Sequence, residues 1–445
     1  MVRKVTDIQY GFLTALCYNL GNPNISSCVN KKCYPMLRTL LYRLHLTRLS
    51  AQVDSSKLDR VLTHPFWGLL ILIGILGLAL GLTYAAALPA SAWIYRSVIL
   101  ALNSTLTSAL AGSPIWVRGI VVDGILAGAG TVLSFVPVLL IFFTILAILE
   151  ASGYLARSSR VTDRYLYLLG LPGHACIPLS MGFGCNTSAI LGCRILDDRR
   201  SRLLTMLLVP FIPCTSRLAV IAFLTPAFFG SAAGWITWGL ISVNLLVLGI
   251  VGFFVNRIGK RRRRLMPIPK LPPIRMPAAR AVGRYVWQNT AEFLAKAGTL
   301  ILVFSVFTWA LSYFPTGHVE ESYLAYAGRL LAPIGAWAGL DDWRFIVALL
   351  SSLVTKENSI AVLGVLFPVA AGGPELSAQV ALVLSPAARL AYLLIQMLFI
   401  PCAGTLTAIR QESGSWKLAA VVIGLMLCIS MLVSVAVYQV SIGMI

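Results

Sequence analysis

Leu171-Pro-Gly-His-Ala-Cys-Ile-Pro-Leu-Ser-Met-Gly-Phe-Gly-Cys-Asn-Thr-Ser-Ala-Ile190 is apolar enough to enter a bilayer, yet it cannot run as one clean helix. Pro172 and Pro178 each remove a backbone donor, and Gly173, Gly182 and Gly184 add backbone freedom. Broken backbone at membrane depth is tolerated only where protein or a water-filled cavity satisfies it. At the break stand a thiol, Cys185, and an amide, Asn186. Broken apolar segments with ligand-type side chains are the sequence sign of a transporter binding site.

The flanking chain fits that reading. Of its 445 residues 58% are hydrophobic, and the mean hydropathy is +0.83, well above a soluble domain. A net charge of +20 would point to nucleic acid in a soluble protein. Here the basic residues cluster in particular loops, where they act as topology determinants facing anionic lipid, so no nucleic-acid partner is expected. There is no G-x-x-x-x-G-K-[ST] phosphate loop, nucleophile–base pair or metalloprotease motif, so the chain does not read as an enzyme.

Apolar runs predict spans at Phe66–Ala87, Val132–Leu149, Leu203–Leu224, Trp235–Val255, Leu294–Leu311, Ala387–Leu406 and Leu418–Val440. Two broken segments accompany them, the one around Cys185 and Phe345–Ala370, interrupted at Thr355-Lys-Glu-Asn-Ser359. The expected fold is all-α and polytopic, with about 7–8 transmembrane helices plus re-entrant segments. Residues 1–59 form a basic arm and residues 60–441 a transport domain, with gate units near 132–256 and 293–441. The arm, the arginine-rich loop Arg157–Arg202 and the run Arg261–Arg264 are predicted to be cytoplasmic. The loops Leu88–Ile115 and Pro315–Asp342, the latter with Glu320 and Glu321, are predicted to face outward.

The two broken segments echo each other. Cys185-Asn-Thr-Ser-Ala-Ile-Leu-Gly192 parallels Glu357-Asn-Ser-Ile-Ala-Val-Leu-Gly364, and Phe211-Ile-Pro-Cys214 recurs as Phe399-Ile-Pro-Cys402. With the charge map, the two units run in opposite senses, giving an inverted repeat with its site near the midplane. The inversion depends on Phe345–Ala370 dipping back rather than crossing.

The candidate site residues follow from this symmetry. Cys185, Cys214 and Cys402 offer sulfur, Glu150 and Glu357 carboxylate, Asn186 and Asn358 carbonyl oxygen, and Ser188 a hydroxyl. Intramembrane ionisable groups are costly and read as functional. Sulfur with oxygen suits a borderline divalent ion better than Mg²⁺ or Ca²⁺. Cys176, Cys193 and Cys428 read as small buried hydrophobes, and His174 as an interfacial histidine. Cys17, Cys28 and Cys33 match no zinc spacing and read as free thiols in a reducing compartment.

Asp59-Arg-Val-Leu-Thr-His-Pro65, Leu149-Glu-Ala-Ser-Gly-Tyr-Leu-Ala-Arg157, Gly182-Phe-Gly-Cys-Asn186, Asp198-Arg-Arg-Ser-Arg-Leu-Leu204, Pro213-Cys-Thr-Ser-Arg217, Lys356-Glu357 and Pro401-Cys402, in this order, resemble the membrane domain of the bacterial ferrous iron transporters of the FeoB family. The resemblance implies Fe²⁺ as the transported ion, no permanent cofactor, and Cys185, Cys214 and Cys402 on the ion's path. It implies a multi-pass protein of the bacterial inner membrane with a cytoplasmic N-terminus. It also implies, as partners beside Fe²⁺ and the lipid bilayer, a separate small GTPase or FeoA-like protein, and it is compatible with a homo-oligomer. Two stretches depart from the family pattern: Thr187-Ser188 stands where Val-Pro is usual, and Lys270 where Glu is usual. The alternative is a gate-family carrier for another divalent metal or a nucleoside-like organic solute.

Overall fold

The computed structural model describes residues 61–64, 66–258, 279–317, 319–367, 379–380 and 382–443. The basic arm with Cys17, Cys28 and Cys33, the run Arg261–Arg264, Lys270 and the end of the second broken segment from residue 368 lie outside them. Among the described residues all regular structure is helical.

Two long helices lead. α1 covers Trp67–Ala109 and α2 covers Ile115–Ala151. Each contains one π-helical turn, Tyr95–Ile99 in α1 and Ile120–Leu126 in α2. The expected outward loop Leu88–Ile115 is therefore corrected, because most of it is helix. Its alanine-rich start, Ala85–Ala87 and Ala90, favours helix, and Pro89 is carried inside α1. Leu70, Ile73, Leu78 and Leu82 lie exposed on α1, as a lipid-facing surface would.

Then come α3, Tyr154–Leu168, and the short pair α4, Cys176–Gly184, and α5, Asn186–Gly192. The chain bends by 103° between α3 and the Gly173–Gly184 segment. α6, Arg199–Leu208, is separated by the Val209–Cys214 break from α7, Thr215–Phe229, and α8 is Ala233–Ile258. The second half follows the same plan. α9, Ala279–Phe293, passes through a π-helical turn into α10, Thr299–Tyr313. α11 is Tyr323–Ala336, the short pair is α12, Trp343–Ser351, and α13, Asn358–Leu366. α14, Pro386–Leu398, breaks at Phe399–Cys402 before α15, Ala403–Ser413, and α16 is Trp416–Gly443.

Five helical stretches among the described residues are long and apolar enough to cross a membrane, or up to six if the bent pair counts as one. The difference from the expected number lies in continuity. Arg199–Arg257 holds two expected spans in one stretch, and the apolar part of α10 is short. α12 and α13 have nine residues each, about 14 Å at 1.5 Å per residue, too short to cross alone. They pack against each other, as α4 packs against α5. The acidic Pro315–Asp342 segment, expected as a loop, contains α11.

Both halves end their third element alike. After α3, Leu171 N–H reaches Leu166 O at 2.9 Å and Gly170 N–H reaches Tyr167 O at 3.0 Å. After α11, Leu340 N–H reaches Gly335 O at 3.0 Å and Gly339 N–H reaches Ala336 O at 2.9 Å. Both are Schellman ends with left-handed glycines, φ 73° at Gly170 and 74° at Gly339. The equivalence shows in the sequence too, where Tyr154-Leu155-Ala156 and Gly170-Leu171 recur at the same spacing as Tyr323-Leu324-Ala325 and Gly339-Leu340, and it extends the repeat upstream of the cysteines.

A Cβ at Gly339 would stand 2.2 Å from the Tyr438 ring of α16, besides the cost of its φ. Gly339→Ala is expected to lower stability by at least about 1–2 kcal/mol. Thermal unfolding of the purified protein in detergent checks this, and a melting temperature equal to the parent's would contradict the Schellman assignment.

Candidate functional site

Four helices of the gate units begin with a ligand-type residue. Cys185 precedes α5, Cys214 α7, Glu357 α13 and Cys402 α15. None of the four side chains closes a capping hydrogen bond. Three other helices are capped in the ordinary way: Asp198 accepts from Ser201 N–H at 2.9 Å, Ser322 from Ala325 N–H at 3.2 Å and Ser385 from Ala388 N–H at 3.2 Å. Ser201 also donates its hydroxyl to Asp198, and these bonds hold that carboxyl below its usual range.

Cys185, Cys214 and Cys402 line one cavity of about 70 Å³. Cys185 has extended backbone, φ −149° and ψ 120°, between α4 and α5. Its sulfur lies against the amides of Thr187 and Ser188 and the Ser188 hydroxyl. Asn186 and Thr187 line the cavity from α5, Thr355 and Lys356 from the second hairpin, and Gly404 and Thr405 from α15. Phe135 and Leu139 of α2 and Ile301 of α10 form apolar wall. Two buried oxygens on this lining, Asn186 Oδ1 and Thr355 Oγ1, have no hydrogen-bond partner among the described residues.

The broken backbone around the cavity is satisfied by buried cations and polar side chains. Arg217 of α7 donates to Pro210 O and to Phe399 O, both at 2.7 Å, and so joins the two Phe-Ile-Pro-Cys breaks. Lys356 Nζ donates to Ile400 O at 2.7 Å and lies 5.3 Å from the centre of the Phe399 ring. Asn186 Nδ2 donates to Ile212 O at 3.4 Å. Ile212 and Ile400 are the same position in the two repeats, each bonded by the hairpin of its own half. Thr215 Oγ1 donates to Gly184 O at 2.8 Å, Ala403 N–H to Leu353 O at 2.8 Å, and Tyr84 of α1 to Thr215 O at 2.7 Å.

Not every expected residue reaches the cavity. Glu357 stands beside Lys356 with both carboxylate oxygens buried; Ser216 approaches without closing a hydrogen bond. Asn358 is the half-buried first residue of α13, and Ser188 reaches the site only through Cys185. Glu150, near the end of α2, is hydrogen-bonded by Tyr285 of α9 and is not on the cavity lining. His174 is also off the lining. Cys176 and Cys193 are buried in the core, Cys176 among Ser158 and Ser180, while Cys428 is exposed. Among the described residues no three His, Cys, Asp or Glu side chains are placed to hold one ion together. Sequence reasoning missed Thr355 and Thr405, which carry no pattern, and the bridging by Arg217. An arginine inside an apolar run was a signal for the latter.

The sequence model of the family described as "Gate: Nucleoside recognition" matches residues 132–228 and 294–416. The chain is 33% identical to the Fe(2+) transporter FeoB of Methanocaldococcus jannaschii over 82% of this chain and 56% of that protein. It is 31% identical to the Fe(2+) transporter FeoB of Synechocystis, over 88% of this chain and 64% of that protein. It is 28% identical to a fusion of Fe(2+) transport protein A with Fe(2+) transporter FeoB in Porphyromonas gingivalis, over 98% of this chain and 55% of that protein. The chain thus spans somewhat more than half the length of these relatives. No solved structure matches it.

Lysine at position 217 could keep the charge but not both bonds. Arg217→Lys should lower stability by about 1–3 kcal/mol, the cost of one buried acceptor left unpaired, and Arg217→Met by more. Thermal unfolding in detergent tests this; a lysine variant melting with the parent would refute the bridge.

Proposed function

The chain belongs to the family of FeoB membrane (gate) domains, and from that premise we propose that it carries Fe²⁺ across the bacterial inner membrane through the three-cysteine cavity. The observation that carries the reading is the convergence of Cys185, Cys214 and Cys402 on one cavity between the two broken repeats. Sulfur from cysteine separates Fe²⁺ from abundant Mg²⁺, which prefers an all-oxygen site. Ligation displaces the thiol proton, so the ion itself supplies the charge that stabilises the sulfurs. Glu357, next to the cavity, adds nearby carboxylate. Glu150 and Asn358 belong to the approaches in this reading, because neither faces the cavity in this conformation.

The gate units near 132–256 and 293–441 are read as an inverted repeat within a transport domain of 60–441, with the basic arm 1–59 cytoplasmic. The matched hairpins, breaks and Schellman ends support the repeat. The lysine and arginine distribution supports the orientation. A separate small GTPase or FeoA-like protein is the proposed partner; the fused arrangement of one relative supports the second.

The second reading, an organic solute such as a nucleoside, is favoured by the description of the gate family. The cavity weighs against it. A volume of about 70 Å³ is far below the roughly 300 Å³ at which small-molecule pockets begin.

Fe²⁺ flux into proteoliposomes is the direct test. Cys185→Ser and Cys402→Ser should each reduce uptake at least about tenfold, the equivalent of one lost ligand worth 1.4 kcal/mol. Cys428→Ser should leave it unchanged. Parental uptake in both cavity variants would mean that the cysteines only pack. The purified chain alone should bind no GTP, measured by equilibrium dialysis, since it carries no phosphate loop; micromolar binding would overturn the separate-GTPase proposal.

A further inference from the structure

Thr187, one of the two positions where the chain departs from its family's usual Val-Pro, stands in the cavity wall opposite Thr405. Their hydroxyl oxygens are 3.4 Å apart, and Thr405 Oγ1 is 3.2 Å from Cys402 Sγ. α5 and α15 pack together, and their register is constant. Thr187 meets Thr405 at the cavity, and seven residues further along each chain segment Arg194, in the turn just after α5, pairs with Glu412 of α15. The packing of the two segments therefore sets Thr187 and Thr405 side by side.

The polarity of this chain of contacts is set once Cys402 binds a cation. An ionised sulfur only accepts, so Thr405 donates to it. The Thr405 oxygen then accepts the Thr187 hydroxyl proton, and the Thr187 lone pairs are left for the cavity. Asn186 Oδ1 and Thr355 Oγ1, 4% and 7% exposed as residues, are the two buried oxygens of this lining without partners among the described residues. The space is small, about 70 Å³, against the roughly 300 Å³ at which small-molecule pockets begin. An entering ion has to leave most of its hydration shell, and wall oxygens have to replace it.

We infer that the cavity is a mixed sulfur–oxygen way-station, and that the Thr187 hydroxyl, oriented by Thr405, sets its selectivity toward divalent ions that accept oxygen ligands, Fe²⁺ and Mn²⁺, over thiophilic Cd²⁺. The inference rests on the proposed ion route through this cavity. A methyl group in place of the Thr187 oxygen leaves the three sulfurs untouched. It weakens an oxygen-accepting ion and spares a thiophilic one.

The test is metal protection of the cavity thiols in the purified protein, under anaerobic conditions in detergent. Alkylation of Cys185, Cys214 and Cys402 by iodoacetamide is followed by mass spectrometry across titrations of Mn²⁺ or Cd²⁺. Thr187→Val should raise the Mn²⁺ concentration needed for half-protection about tenfold, one oxygen contact of roughly 1.4 kcal/mol, and leave the Cd²⁺ titration where it was. Thr187→Ser should restore the parental Mn²⁺ value. Thr187→Ala, with a smaller side chain, should repeat the valine result if valine disturbs folding. Thr225→Val, a buried helix threonine away from the cavity, should change neither titration. Equal shifts for both ions, or no Mn²⁺ shift in a folded valine or alanine variant, overturn the inference. Proteoliposome flux separates it from the transport reading: a parent that shows the Thr187-dependent preference but moves no Fe²⁺ supports this inference and refutes transport.

Discussion

Irregular backbone inside a membrane is possible here because Arg217 supplies what the lipid cannot. Each Phe-Ile-Pro-Cys break frees carbonyls from helical bonding, and in hydrocarbon such a carbonyl costs several kcal/mol. Arg217 places one nitrogen on Pro210 O and another on Phe399 O, so one side chain serves both breaks. Its planar fork is suited to two fixed acceptors, where lysine offers a single point of charge. A buried arginine is itself expensive, and this one is only 2% exposed. Two charge-assisted bonds of about 1.5–3 kcal/mol each are of the size needed to offset an insertion cost of about 2.5–3.5 kcal/mol.

That bridge has a geometric consequence. With Pro210 and Phe399 tied to one residue, Cys214 and Cys402, each only a few residues beyond its tied carbonyl, are brought to the same cavity. The hairpins are then anchored by bonds of similar form, Asn186 on Ile212 O and Lys356 on Ile400 O. The repeat is thus a repeat of backbone acceptors more than of side chains. The donors differ, an amide in one half and a lysine amine in the other.

Much of this was legible in the sequence, and the remainder was hidden for identifiable reasons. Proline and glycine mark broken backbone directly, so the Cys185 and Phe-Ile-Pro-Cys breaks could be placed from residues alone. Hydropathy marks contact with lipid, not helical continuity, which is why α1 was expected to stop near Ala87 and instead runs on to Ala109. α11 lies among acidic residues that read as loop, yet Ser322 caps it and Gly339 ends it. Arg217 is an ionisable group in an apolar run, but its acceptors are main-chain carbonyls, which no side-chain pattern announces. Thr355 and Thr405 belong to a residue type scattered through the chain, and only the packing of α5 on α15 and the second hairpin gives them a position. Glu150 shows the opposite case: its carboxylate was conspicuous, and Tyr285 of α9 engages it away from the cavity.

The charge around the cavity decides what the three sulfurs can be for. Arg217 and Lys356 are committed to carbonyls, Arg217 as a buried guanidinium, and α5, α7 and α15 all begin at the cavity wall, presenting the positive ends of their dipoles. A site so surrounded repels a divalent cation unless something nearby is negative. Glu357 has its carboxylate adjacent, and the cysteines become negative only by giving up protons, which metal ligation drives. On the proposed ion route, an ion able to form sulfur bonds offsets this repulsion by displacing the thiol protons. Mg²⁺ and Ca²⁺ gain little from sulfur and meet only the repulsion. Under that proposal, selectivity against the abundant ions comes from the groups that hold the fold together as much as from the thiols.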